Sequence, residues 1–193
     1  MPRALIVGAS RGLGLGLVEE FAKRGWEVLG TVRDDDPAPY ELLRSEILRL
    51  EPQMVYFPLG VGGHVDHQLC REVALSLLAE RRQWIMPAPS FVGRLSFYED
   101  FPYAWWRDFE GPGRSDHVRL DLPSGVSVEA QYADITDVFD RKAAGIRIYG
   151  SQLPNLFDSD QALLDDLAGY HTRVALAGGV SGYAERYWAT VSP

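Results

Sequence analysis

The sequence predicts a three-layer α/β domain in which helices cover a mostly parallel sheet and a β-hairpin is inserted late in the chain. Two observations predict it. Short apolar runs alternate with segments of helical periodicity, and two segments of alternating polarity flank a Pro-Ser-Gly turn further along. The length of 193 residues suits one such domain, covering residues 1–193.

The first segment predicts a strand, a glycine turn, a helix and a second strand. The apolar run at residues 4–7 is the first strand, and apolar residues at helical spacing follow it up to Phe21. Gly25 is placed to end that helix, and residues 26–32 form the second strand. Such a βαβ unit pairs its two strands in parallel.

The remaining elements continue the alternation of strands and helices. In chain order they are a helix (40–50), a strand (54–59), a helix (66–80), a strand (94–98), a long loop (99–114), a hairpin (118–122 with 126–131) and two helices (134–149 and 160–177). This order is Rossmann-like, with the hairpin as a late insertion.

Composition limits the classes of function. With 19 basic and 27 acidic residues the formal charge is −8, which argues against a nucleic-acid partner. No apolar run is long enough to cross a membrane, and the single cysteine, Cys70, cannot form an intrachain disulfide and is expected in the core. We therefore expect a cytoplasmic protein that acts on a small-molecule substrate.

A glycine-rich turn follows the first predicted strand and opens the first helix. Its glycines would let the backbone approach a pyrophosphate at the helix N-terminus, although close packing of a helix on a strand requires the same residues. Residues 1–35 resemble the opening of the short-chain dehydrogenase/reductase family, and the basic residues there imply an NADP preference. The candidate cofactor-binding residues are Gly8, Ser10, Arg11, Gly12, Gly14 and Arg33.

The catalytic pair of that family is absent. Its members share a Tyr-x-x-x-Lys pair, but the residue four positions before Lys23 is Glu19, and the residue four before Lys142 is Val138. This resemblance therefore implies an NADP-binding module without reductase chemistry.

Two histidines three positions apart, His64 and His67, enter the helix at residues 66–80. Side chains at this spacing share one face of a helical turn, and neutral imidazole is a good zinc ligand. Asp66 lies between them and could orient one imidazole. The other interpretation is that both histidines are solvated loop residues, because catalytic zinc uses three protein ligands.

The surroundings of this motif resemble the PIG-L/LmbE family of zinc-dependent deacetylases. The similarity extends from about residue 40 to residue 193, through the segments LGVGGHVDHQ at 59–68, FYEDFPY at 97–103, DITDVFDRK at 134–142, YGSQL at 149–153 and YAERYW at 183–188. The resemblance implies that His67 binds zinc and that His64 stabilises the oxyanion or protonates the leaving amine, with Asp66 orienting it. It also implies removal of an acetyl group from an N-acetylated sugar or related metabolite.

One part of that family's site has no counterpart here. The family's first strand is followed by an Ala-His-Pro-Asp-Asp-Glu loop that supplies two zinc ligands and the base, whereas this chain has the glycine turn and no histidine before His64. The two resemblances meet near residues 34–40, where the acidic run 34–36 is interpreted as a solvated turn. The sequence thus predicts a deacetylase with an incomplete zinc site, and as the alternative an NADP-binding module.

Aromatic residues crowd residues 97–109. They predict either a platform for a sugar ring, with Glu99 and Asp100 binding hydroxyls, or a loop folded on its own aromatics, which is the favoured interpretation. His171, on the last helix, is expected to be exposed.

Overall fold

A computed structural model describes residues 3–6, 19, 21–30, 39–50, 52, 54–80, 95–112 and 120–191. Strand β1 (Arg3–Ile6) pairs in parallel with β2 (Glu27–Gly30). The described residues between the two strands include a helical end at 21–23. The predicted strand–helix–strand order and the parallel pairing are therefore confirmed.

Gly25 ends this helix as the sequence predicts. Its φ of 77° lies in the left-handed region, which glycine adopts without steric cost. The amide of Gly25 donates to Ala22 O at 3.0 Å and that of Trp26 to Phe21 O at 3.1 Å, which is the Schellman pattern. The Phe21 and Trp26 rings lie 4.8 Å apart and add the apolar contact that accompanies this motif.

The other elements build a second sheet and the helices packed on it. They are α1 (Pro39–Leu50), β3 (Val55–Pro58), α2 (Val65–Glu80), β4 (Leu95–Tyr98), α3 (Tyr103–Trp106), β5 (Ser127–Asp134), α4 (Phe139–Arg147), α5 (Asp160–Gly178) and β6 (Ala184–Val191). None of the helices in the described ranges is long and apolar enough to span a bilayer.

The four-stranded sheet is mixed, so the prediction of a mostly parallel sheet is wrong here. Its strand order is β3-β4-β6-β5, with β3 and β4 parallel. Strand β6 runs antiparallel to both of its neighbours. The parallel pair is connected through helix α2, as a βαβ crossover requires.

The predicted late hairpin is also wrong in its pairing. Strand β5 pairs with β6 from Ser127 opposite Val191 to Asp134 opposite Ala184. Residues 120–122 are not a strand, and residues 118 and 119 lie outside the described ranges. The predicted turn exists, because Val126 N donates to Pro123 O at 3.0 Å, but it leads into β5 rather than joining two paired strands.

One main core holds the sheet and the two long helices together. Phe97 on β4 and Leu77 on α2 are both 0% exposed, and they share this core with Val174 on α5. Cys70 is buried in the same core, as expected. Phe97 and Phe109 from the aromatic segment are also buried in this main core, rather than in a separate cluster of the segment's own aromatics.

His171 is fully buried, which corrects the expectation that it is exposed. It lies on the face of α5 that also buries Leu167 and Val174, one turn away on either side. Its Nδ1 donates to Ala184 O at 2.8 Å, while its Nε2 has no hydrogen-bond partner among the described residues. The hydrogen bond to the Ala184 carbonyl thus satisfies one polar atom of a neutral imidazole in this apolar site.

Burial, assisted by the charge of Lys142, lowers the pKa of His171 to about 4. Because this pKa lies below the unfolded value of about 6.5, the stabilisation from the neutral ring is complete above pH 6.5 and is lost as the pH falls towards 4. We expect the free energy of unfolding to fall between pH 7 and 4 by about 3 kcal/mol more in the wild type than in His171→Asn. Urea unfolding at both pH values measures this difference, and equal losses in the two proteins would contradict the assignment.

Candidate active site

A glycine-rich loop carries the chain from β3 to α2. Gly60 and Gly63 have φ values of 74° and 75°, which favour glycine at both positions. Helix α2 itself holds the loop, because Gln68 Nε2 donates to Gly63 O at 2.9 Å and Arg71 Nη1 donates to Leu59 O at 2.9 Å. These two hydrogen bonds from α2 fix the loop, and with it the position of the histidines at the start of the helix.

His67 contacts a buried carboxylate. Its Nδ1 lies 2.5 Å from Asp100 Oδ1, an ion-pair contact whose angles are not those of a hydrogen bond, and the Asp100 side chain is 1% exposed. The other carboxylate oxygen, Oδ2, accepts a hydrogen bond from Val61 N at 2.9 Å. A carboxylate against one ring nitrogen favours the tautomer with the proton on that nitrogen. With the proton on Nδ1, the other ring nitrogen of His67, Nε2, carries a lone pair and does not face Asp100.

The structure brings the three predicted residues together. The His64 and His67 ring centroids are 5.2 Å apart. His64 Nδ1 lies 3.8 Å from Asp66 Oδ2, which is longer than a hydrogen bond, and both side chains are 55% exposed. His64 is therefore the solvent-facing imidazole of the pair and His67 the anchored one. The catalytic and metal-binding roles of these residues stay predictions.

The expectation that Glu99 and Asp100 bind substrate hydroxyls is wrong. Both are buried, at 8% and 3% exposure, and both carboxylates face protein side chains. Consecutive residues at the end of a strand point to opposite sides, and accordingly Asp100 meets His67 whereas Glu99 meets the C-terminal elements. The role of Asp100 was the part of the site that sequence reasoning missed. The feature that could have indicated this role is its position: Asp100 follows β4, and the histidines follow β3, the strand that pairs with β4 in parallel.

Glu99 is the centre of a buried polar network. Its Oε1 accepts from Arg186 Nε at 2.6 Å and from Trp188 Nε1 at 2.8 Å. Its Oε2 accepts from Tyr170 OH at 2.7 Å and Arg186 Nη2 at 3.2 Å. Burial, together with the charge of Glu99, raises the pKa of Tyr170 well above its usual range, so the phenol remains a donor. This network ties β4 to α5 and β6 immediately beside Asp100.

The described residues do not fit a catalytic zinc ion. They include no group of three or more His, Cys, Asp or Glu side chains placed to hold a metal, and catalytic zinc uses three protein ligands. Nδ1 of His67 faces Asp100, which leaves one ligand nitrogen, Nε2, on that side chain. The acidic run at 34–36 lies outside the described ranges.

The six candidate nucleotide-binding residues all lie outside the described ranges, as does the whole turn between β1 and the helical end at 21–23. They are Gly8, Ser10, Arg11, Gly12, Gly14 and Arg33. The parallel pairing of β1 with β2 is compatible with close helix–strand packing as well as with a cofactor. NADP binding therefore stays a prediction without support.

No known protein family and no curated protein matches this sequence. Solved structures do match. The A40926 pseudoaglycone deacetylase Dbv21 superposes with a TM-score of 0.58 and 22% identity, covering 89% of this chain and 66% of that chain. The zinc-inhibited form of teicoplanin deacetylase Orf2 gives a TM-score of 0.59 and 17% identity, covering 99% and 98%. The conserved protein TT1542 from Thermus thermophilus gives 0.52 and 19%, covering 100% and 94%.

These similarities concern the fold. Two of the three proteins are named deacetylases, whereas the name of the third states no activity. The chain therefore shares its mixed α/β fold with the A40926 pseudoaglycone deacetylase and the teicoplanin deacetylase.

Proposed function

We propose that this chain is a hydrolase that removes the acetyl group from an N-acetylated sugar or related metabolite. The observation that carries the proposal is an imidazole against a buried carboxylate, His67 with Asp100, beside a second and exposed imidazole, His64, whose ring centroid is 5.2 Å away. The fold shared with deacetylases and the motif resemblance from residue 40 onward both support it.

The two imidazoles suit opposite proton transfers. His67, held by Asp100 through Nδ1, would accept at Nε2 the proton of a water molecule as the oxygen attacks the amide carbon. His64 would donate a proton to the amine nitrogen as the C–N bond breaks, yielding acetate and the free amine. The exposure of His64 suits this second role, because the leaving group must depart to solvent.

The resemblance also implies a zinc-dependent version of this reaction, in which His67 binds the metal. Zinc would supply Lewis-acid activation of the amide and of water. Nε2 of His67 cannot hold a metal and accept a proton at the same time. The two versions therefore make opposite predictions about chelation, which the experiment below tests.

The test is acetate release from N-acetylglucosamine and its glycosides, measured after dialysis against a chelator and again after zinc loading. We expect release at the same rate in both states, because the proposed proton transfers use only the two imidazoles. A His64→Ala/His67→Ala double variant gives the background of contaminating enzymes.

Other outcomes separate the versions. Release only from zinc-loaded protein, with about one equivalent of bound metal, would establish the zinc-dependent reaction and show that residues outside the described ranges complete the site. Release no faster than that of the double variant in both states would refute the proposed function.

A further inference from the structure

The short aromatic helix α3 lies against the loop that carries His64. A Cβ atom added at Gly62 would overlap the Tyr103 ring, so this ring rests directly on the loop backbone. Gly62 is separated from His64 by one residue. The aromatic segment is therefore in contact with the candidate active site through Tyr103.

Trp106 continues this aromatic surface towards solvent. Its ring lies 6.0 Å from that of Tyr103 at an interplanar angle of 89°, and its side chain is among the large apolar groups left exposed, at 45%. The sequence-based interpretation of residues 97–109 as core thus does not apply to Trp106. The ring also packs against Phe157, with centroids 5.6 Å apart, and the rest of the indole is left in solvent, where a ligand could contact it.

The exposed ring is also held in a fixed orientation. Trp106 Nε1 donates to Asp166 Oδ2 at 2.9 Å, and Trp105 Nε1 donates to Asp166 Oδ1 at 3.0 Å. Trp105 is in turn packed against Gly169, where a Cβ would lie 2.9 Å from its ring, and beneath the Arg173 guanidinium at 4.7 Å. Helix α5 thus fixes α3 through the Asp166 carboxylate, through close packing of Trp105 on Gly169 and through the Arg173 guanidinium. A ring fixed before binding loses little conformational entropy when a ligand stacks on it.

We infer that Trp106, braced by Tyr103, is the stacking wall for the sugar ring of the substrate. The C–H face of a pyranose is apolar and matches the face of an indole, whereas its hydroxyls remain free for polar contacts. The formal charge of −8 also suits a neutral sugar better than an anionic ligand. This inference rests on the proposed function for the substrate class and extends it by naming the residues that recognise the ring.

The test is the dissociation constant of N-acetylglucosamine, measured by isothermal titration calorimetry with chelator-dialysed full-length protein. We expect Trp106→Ala to weaken binding about tenfold, the scale of one lost stacking contact. Trp106→Phe keeps a ring and should bind within about threefold of the wild type. Leu176→Ala removes a side chain that is 76% exposed near the other end of α5 and should bind like the wild type.

The outcomes separate this inference from the proposed function. If acetate is not released but the variants show the expected order of affinities, the hydrolase proposal fails and the stacking wall stands. If acetate is released and Trp106→Ala leaves both the dissociation constant and KM unchanged, the wall is refuted and the hydrolase stands. The stacking inference is also refuted if all three variants weaken N-acetylglucosamine binding equally, or if the wild type does not bind it.

Discussion

Replacing Asp100 with asparagine should lower kcat for acetate release by about a hundredfold or more. The new side chain would still accept the hydrogen bond from Val61 N through its carbonyl oxygen, which replaces Asp100 Oδ2. Its amide group would then face His67 Nδ1 and donate to it, so the ring proton would move to Nε2. An Nε2 that already carries a proton cannot accept one from water, and the base of the proposed reaction is lost.

The tautomer separates this positioning role from a structural one. Long-range ¹H–¹⁵N spectra should show His67 protonated on Nδ1 in the wild type and on Nε2 in the variant, with the rest of the spectrum unchanged. Asp165→Asn is the matched control, since Asp165 is an exposed carboxylate on α5 that accepts from Gln161. The positioning role is wrong if Asp100→Asn retains wild-type kcat, or if kcat falls without a change of tautomer.

Glu99→Gln should cost about 3–5 kcal/mol of unfolding free energy, the range for breaking a buried ion pair from one side. The Glu99 side chain is 1% exposed and that of Arg186 is 9% exposed, so neither charge can be resolvated by a small movement. An amide supplies one acceptor where the carboxylate serves donors from Arg186, Trp188 and Tyr170. The Arg186 charge then remains buried without compensation.

The matched control is Glu46→Gln, which breaks an ion pair with Arg49 on the surface of α1. Exposed pairs of this kind contribute less than about 1 kcal/mol, so urea unfolding should barely change. If Glu99→Gln were no more destabilising than Glu46→Gln, the network would not be what holds β4 to α5 and β6. The loss should also appear in activity only through the unfolded fraction, because Glu99 does not contact the histidines.

The candidate site divides into a part that local sequence reveals and a part that it does not. His64, Asp66 and His67 lie within one turn at the start of α2, so their proximity follows from helical geometry alone. Asp100 reaches His67 only because β3 and β4 pair in parallel and bring their carboxyl ends to one edge. That contact depends on strand pairing, and the spacing of residues along the chain does not specify it.

The sequence by itself determined the local structure of this protein. Periodicity and turn residues located the strands β3 and β4 and the helices α2 and α5, and Gly25 ended its helix because only a left-handed residue closes that turn. The tertiary structure decided which strands pair, since β5 joins the distant β6 rather than its neighbour in sequence. It also decided the environments of His171, Glu99 and Asp100. The physical reason is that pairing and burial are set by contacts between residues far apart in the chain, whereas helices and turns are set by residues within a few positions.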